Sequence, residues 1–249
     1  MAQKKEKKNR KRKKKRYFLA FLVVIAAAVL LYFFFSSSLF DVKAIEVTGN
    51  DHHTAGAIID MAGAELGVPI FKIDKEDMKA SLKEDPYIKE IKIGRKLPST
   101  LTIEVIERKE EAAVAYGNSF ILIDPECIIL RRVDEQPEVP LLVGLTILNM
   151  QPGETFKAEQ VNVLENTMAM LKAMDSNGLY FKKIDISDVI VKAYIYDNLV
   201  CQGKPENILE AMNNGNLEAV LVDLMEENIK RGTINLGGNG YCSFSPEII

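Results

Sequence analysis

The stretch DPYIKEIKIGRKLPSTLTIEVIER, residues 85–108, alternates apolar and polar side chains in two successive runs. Tyr87, Ile88, Ile91 and Ile93 are the apolar positions of one strand. Leu101, Ile103 and Val105 share one face of a second, with Thr102, Glu104 and Ile106 on the other. A period of two puts alternate side chains on opposite faces of a pleated ribbon, so both runs are half-buried strands. Arg95-Lys96-Leu97-Pro98-Ser99 between them is a hairpin loop.

Working back from Asp85, Asp85-Pro86 stops a helix spanning Lys75 to Lys83, which Asp74 caps and whose Met78 and Leu82 share a face. Phe71 and Ile73 read as a short extended piece. Thr54 is the N-cap of an earlier helix through Ile58, Ile59, Met61 and Ala62, closed at Gly63 or Gly67. Before it, Thr48-Gly49-Asn50-Asp51 is a turn, and Val42 to Val47 is a short strand with Val42 and Ala44 on one face. The order is β-α-α-β-β, and its economical packing is a small sheet covered on one face by two helices.

The N-terminal region is of another kind. Residues 1–16 carry eleven Lys or Arg and one acid, Glu6, and Tyr17 to Phe35 follows with no charge, amide, Gly or Pro. As a helix of about 1.5 Å rise per residue this run is about 28 Å long, against about 30 Å for a bilayer core. Basic clusters stay on the cytoplasmic side, so everything after Asp41 is expected outside the cytoplasm. Ser36 and Ser38 offer a small-x-small cleavage pattern, but the apolar region of a signal peptide is shorter, about 7–15 residues, which favours a retained anchor. The basic tail has nothing to bury and is expected to be disordered, adding about 1 kcal/mol of attraction per basic residue near an anionic leaflet.

Charge is split along the chain. With the tail set aside, 21 basic and 34 acidic residues remain, an acidic body that does not suggest a nucleic-acid surface. Cys127, Cys201 and Cys242 are odd in number and widely spaced, which argues against a disulfide framework or a zinc site. Cys127, beside Ile128 and Ile129, reads as a core thiol.

The second half continues as an α+β domain. Glu111 to Tyr116 and Phe120 to Ile123 flank Gly117-Asn118, a hairpin signal, and Ile128 to Val133 is a third strand. Pro137, Pro140 and Gly144 mark a connection. Ala158 to Met174 is an amphipathic helix with Val161, Leu164, Met168 and Leu171 on one face, ended by Asn177-Gly178. Tyr180 to Ile186, Val191 to Tyr196 and Leu199 to Gln202 are strands. Asn216 to Arg231 is a second helix, with Val220, Leu221, Leu224 and Ile229 toward the sheet, and Thr233 to Leu236 and Tyr241 to Phe244 are terminal strand pieces.

Catalytic constellations are lacking in the pattern. Asp51-His52-His53-Thr54 is the one clustering of His with Asp, and without a third ligand in view it reads as a solvated turn. Gly237-Gly238-Asn239-Gly240 does not open a helix, as a phosphate loop would. Leu97-Pro98-Ser99-Thr100 is followed by Leu101, so it is a hairpin and not a sorting signal. Glu107, Glu110 and Glu111, like Glu226 and Glu227, read as charged rim. The pattern predicts no catalytic, cofactor or metal site.

The segments FDVKAIEVTGN (residues 40–50), AGAELGVPIFKID (62–74) and 85–108 together closely resemble a POTRA domain. Following a basic tail and one apolar span, this arrangement resembles the FtsQ/DivIB family of bacterial cell-division proteins. Val139-Pro140-Leu141-Leu142-Val143-Gly144 is similar to the family's P-x-[IL]-x-G element. The resemblance implies a cytoplasmic tail (1–16), a transmembrane helix (17–39), a POTRA domain (40–108) and a mixed, mostly antiparallel β domain (109–249).

It also implies a non-catalytic divisome scaffold at the septum, anchored in lipid through residues 17–39. Its partners would be FtsB/DivIC-like and FtsL-like coiled-coil proteins, with no nucleic acid and no small-molecule substrate. The family's terminal strands bind those partners, which carries over to Ile234, Asn235, Leu236 and Tyr241, in a region taken as a sheet edge because it ends the chain. The Arg-Tyr pair that many members carry after this strand is replaced by Gly237-Gly238. The alternatives are a membrane-anchored wall hydrolase, which requires a deep cleft with paired carboxylates or a metal triad, and a POTRA module of a secretion or assembly apparatus.

Overall fold

The computed structural model describes residues 2–186 and 189–247, without the side chains of residues 2–16 and Asp175. Two compact units emerge. One comprises the chain up to Lys83 with Glu90–Glu107; the other comprises Glu84–Lys89 and the chain from Arg108 onward.

The first unit begins with helix α1 (Ala2–Phe35). Its Tyr17–Phe35 portion has a mean hydropathy of 2.9, none of it buried, and is long and apolar enough to cross a membrane. The helix does not start at the apolar run, as the expected disorder of the tail would require, but continues through the basic block. Lys and Arg are good helix formers, and extending a helix already nucleated by nineteen apolar residues costs little.

Next come β1 (Ala44–Thr48), α2 (Ala55–Met61), α3 (Lys75–Leu82), β2 (Ile88–Lys96) and β3 (Thr100–Glu107). The sheet order is β1-β3-β2, with β1 parallel to β3 from Ala44↔Thr100 to Thr48↔Glu104. Both predicted caps are present: Thr54 Oγ1 accepts from Ala57 N at 3.2 Å, and Asp74 Oδ1 from Glu76 N at 2.9 Å. Leu101, Ile103 and Val105 are buried on β3, as are Ile58 of α2 and Leu82 of α3.

Two local readings are corrected. On β1 it is Ile45 and Val47 that turn inward, while Ala44 is exposed. The backbone N–H groups of Lys43 and Ala44 share one acceptor, Ser99 O, and this irregularity breaks the alternation between Val42 and the strand. Phe71 lies in a short 3-10 turn, Ile70–Lys72, rather than an extended piece. Arg95 fixes that turn, donating from Nε to Ile70 O and from Nη2 to Ile73 O, both at 2.8 Å.

The second unit is a nine-stranded sheet with helices α4 (Val161–Asn177), α5 (Pro205–Asn213) and α6 (Asn216–Glu226). Its strands are β4 (Ala112–Tyr116), β5 (Ser119–Ile123), β6 (Ile129–Val133), β7 (Leu141–Val143), β8 (Lys183–Asp185), β9 (Val191–Tyr196), β10 (Asn198–Gly203), β11 (Arg231–Leu236) and β12 (Cys242–Ser245). Their order is β12-β11-β10-β9-β8-β7-β4-β5-β6. Neighbours pair antiparallel except β4–β7, β7–β8 and β10–β11, which are parallel. Phe181, Leu142, Ile184, Met170 and Cys201 form the centre of one continuous apolar core.

Here too the structure amends the expectations. Helix α5 had no counterpart among the predicted elements; Pro205 opens it at the N-terminal position where proline fits, and Ile208, Ala211 and Met212 bury its inner face. Helix α4 starts at Val161, not Ala158, and Val161 itself is exposed, because the first residue lies ahead of the turns that pack on the sheet. Helix α6 ends at Glu226 because Asn228 takes a left-handed conformation (φ 56°). Ile229 N then reaches back to Leu224 O at 2.8 Å, closing the helix end. Cys127 is half-buried in a left-handed turn position (φ 60°) rather than deep in the core.

Candidate partner-binding edge

Strand β11 lies inside the sheet and β12 forms its border. Residues Cys201 and Ile234 face each other in the parallel β10–β11 ladder. On the other side Ile234 pairs with Phe244 and Leu236 with Cys242 in the antiparallel β11–β12 ladder. Among the described residues no further strand lies beyond β12. At the opposite border, the outer side of Ile129 on β6 is occupied: its N–H donates to Glu154 O at 2.9 Å and its carbonyl accepts from Gly153 N at 2.8 Å. A border strand presents unpaired backbone donors and acceptors, the chemistry needed to receive an added strand.

Two glycines make the ribbon possible. Gly232 has φ 133°, and a Cβ there would lie 2.6 Å from the Phe244 ring, so β12 lies flat against β11 only because the side chain is missing. Gly240 has φ 65°, and a Cβ would collide with the Asn214 amide. Its carbonyl accepts from Asn216 Nδ2 at 2.8 Å, which ties the β11–β12 turn to the start of α6. Gly237 N donates to Tyr241 O at 2.9 Å across the same turn.

The four residues carried over from the family fall in different environments. Ile234 is fully buried and Leu236 is 6% exposed, so both side chains belong to the core. Asn235 points to the other face and donates from Nδ2 to Ser245 Oγ at 3.3 Å. Tyr241, at the end of the turn, is 66% exposed. The pairing of β12 with β11 makes Ser243 and Phe244 part of the same border, residues that strand periodicity around Tyr241 contained but did not single out.

Glu226 and Glu227 are exposed, as expected of rim residues, but two of the other carboxylates read as rim are engaged. Glu107, with a side chain 2% exposed, is no rim residue: it accepts from the backbone N–H groups of Asp51, His52 and His53. Burial pushes its carboxyl up, but the three backbone donors and the His53 ring outweigh it and hold it below the ordinary glutamate value. Glu110 accepts from Tyr87 Oη at 2.6 Å and from Arg131 Nε at 3.0 Å. The Lys89 ammonium and the Arg108 guanidinium hold Glu126 down at about 2. A carboxyl so acidic carries no proton to donate near neutrality.

The thiols are free: Cys201 is fully buried, and burial raises the pKa of all three. Among the described residues, no three His, Cys, Asp or Glu side chains gather as a metal site.

Residues 40–108 match the family model for the POTRA domain, FtsQ-type. The chain is 28% identical over 211 residues to the cell division protein DivIB of Clostridium acetobutylicum, covering 83% of each chain. It is 27% identical over 168 residues to the cell division protein FtsQ of a Geobacter species, covering 67% of this chain and 60% of that one. The solved major extracytoplasmic domain of DivIB from Geobacillus stearothermophilus aligns over 47% of this chain and 95% of its own, at 14% identity and a TM-score of 0.31, too low to bear on the fold. Residues 40–108 thus match the POTRA domain of FtsQ type, and the chain is similar along most of its length to bacterial cell-division proteins named DivIB and FtsQ.

Proposed function

We propose that the chain is a non-catalytic scaffold of the division machinery. Its tail and span hold it in the cell membrane with the C-terminus outside the cytoplasm, and its terminal ribbon receives coiled-coil division partners of the FtsB/DivIC and FtsL kind at the septum. The observation that carries this reading is the β12 border, beyond which no further strand lies among the described residues, next to an exposed tyrosine and on a platform anchored by buried Ile234 and Leu236. Backbone pairing supplies affinity to such a site and the flanking side chains, Asn235 and Tyr241, supply choice of partner. Tethering both partners in one membrane raises their effective concentration, so a modest border suffices.

A groove of about 580 Å³ runs between the turn at Cys127 and α4, lined by apolar side chains such as Phe156 and Leu164, with Glu126 and Glu165 on its wall. Glu126 is held there in ion pairs with Lys89 and Arg108. The test is a fluorescent fusion in the native cell combined with co-purification from solubilised membranes. Septal signal and recovery of small single-span coiled-coil proteins support the scaffold role; diffuse envelope signal without such partners rejects it.

A further inference from the structure

The end of the apolar helix is packed against the folded domain that follows it. Phe35, the last residue of the span, has its ring centroid 5.3 Å from that of Phe71. Phe40 completes the cluster, 5.5 Å from Phe35 and 5.4 Å from Phe71. The backbone fixes the same arrangement independently. Val42 N donates to Val68 O at 2.9 Å, Gly67 N donates to Val42 O at 2.8 Å, and Asp41 bridges to Pro69. Loop 66–72 is thereby laid alongside the residues that leave the helix. Its apolar side chains nevertheless remain uncovered: Leu66 is 63% and Phe71 42% exposed, and Leu39, in the Ser38–Phe40 turn that follows the helix, is 49% exposed.

The span about matches the thickness of a bilayer core, so Phe35 lies at its outer boundary when Tyr17 lies at the inner one. A ring in contact with Phe35 lies at that boundary too, the depth at which apolar side chains are buried by an interfacial contact and lysine stems extend toward headgroups. Lys43 and Lys72 are exposed on the same two segments, with Asp41 and Glu65 offsetting part of their charge. The contact is therefore chiefly apolar.

We propose that loop 66–72, together with Leu39, is a second membrane contact. Leu66, Phe71 and Leu39 enter the interface of the outer leaflet and hold the POTRA domain against the bilayer, instead of leaving it on a swivel after Phe35. The occupant is a lipid surface, argued from continuity with the span, and the inference rests on the anchor reading above.

The chain contains no Trp, so a single introduced Trp reports its own surroundings. Full-length Leu66→Trp and Phe71→Trp are placed in nanodiscs whose lipids are brominated near the glycerol end of the acyl chain. Tyr32→Trp serves as the reference inside the span. Ile106→Trp is the water reference, at the end of β3 remote from the Ala44↔Thr100 pair. Leu66 is largely exposed, so its substitution does not depend on tolerance in the aromatic cluster. The expected result is at least a twofold loss of fluorescence at positions 32, 66 and 71 and none at 106. Quenching at 32 with positions 66 and 71 behaving like 106 overturns the proposal while the anchor stands; the loop then faces water or another protein. No quenching at 32 overturns the anchor and this contact with it.

Discussion

Glu107 Oε1, at the end of β3, stands 2.9 Å from Nδ1 of His53, and Oε2 of the same carboxylate accepts from Asp51 N at 2.6 Å. One buried side chain thus caps the turn between β1 and α2 from 54 residues away in sequence. The His-Asp cluster that invites a metal or acid–base reading is a turn whose backbone donors converge on a distant carboxylate. The sequence offered no local signal for this, because the partner belongs to the far end of another strand.

Glu107→Gln replaces an acceptor of several N–H groups by an amide with one oxygen. Hydrogen bonds to charged groups contribute about 1.5–3 kcal/mol each, and partial replacement leaves some in place, so a loss of about 2 kcal/mol is expected in denaturant unfolding of the full-length protein. The pH dependence follows from the lowered folded pKa. Stability from this group is fully present above the unfolded value of about 4.3 and is lost as pH falls through the lower folded value. The wild type should lose stability with acid in that window, and Glu107→Gln should show a shallower decline. Equal acid sensitivity in both would contradict the role given to Glu107.

Arg108 is expected to be costly to remove. Its Nη1 donates to Asp124, whose side chain is 2% exposed, and to Glu126 at 2.8 Å. Asp124 in turn orders the β5–β6 turn by accepting from Glu126 N and Ile128 N. Arg108→Met keeps much of the volume and strands a buried carboxylate, with an expected loss of about 3 kcal/mol. Arg108→Lys should recover part of it, since the ammonium restores a positive charge beside the buried carboxylate without the planar guanidinium geometry. Unfolding midpoints of the two variants check the ranking.

Asn228 holds the left-handed position that ends α6. Gly adopts this conformation without a Cβ penalty, whereas Ala pays about 1–2 kcal/mol. Asn228→Gly is therefore expected to be neutral to slightly stabilising, and Asn228→Ala to lower stability by about 1 kcal/mol, measured by thermal unfolding.

The POTRA half was legible because its signals are local: strand alternation on β3, caps at Thr54 and Asp74, and a loop at Leu97-Pro98-Ser99. The β domain was legible in kind but not in layout. Helix α5 was hidden because Pro205 serves equally as a breaker and as a helix opener. The end of α6 was misplaced because a left-handed asparagine leaves no mark on composition. The position of β11 inside the sheet, with β12 as its cover, depends on a parallel pairing with β10 that spans the whole α5–α6 connection. No periodicity within a strand reports which strand lies next to it, so Ile234 and Leu236 could be recognised as strand residues without being recognised as core.

Site-specific photo-cross-linking in the native cell tests the scaffold most directly. A photoreactive amino acid is placed at Tyr241 and at Ser243 on the β12 border, and at Tyr180, an exposed residue outside the ribbon, in the full-length protein. The account predicts cross-links from positions 241 and 243 to a small single-span protein with a coiled-coil segment, and none from 180. Silence at 241 and 243 while the protein is septal and captures such partners from elsewhere on its surface would contradict it.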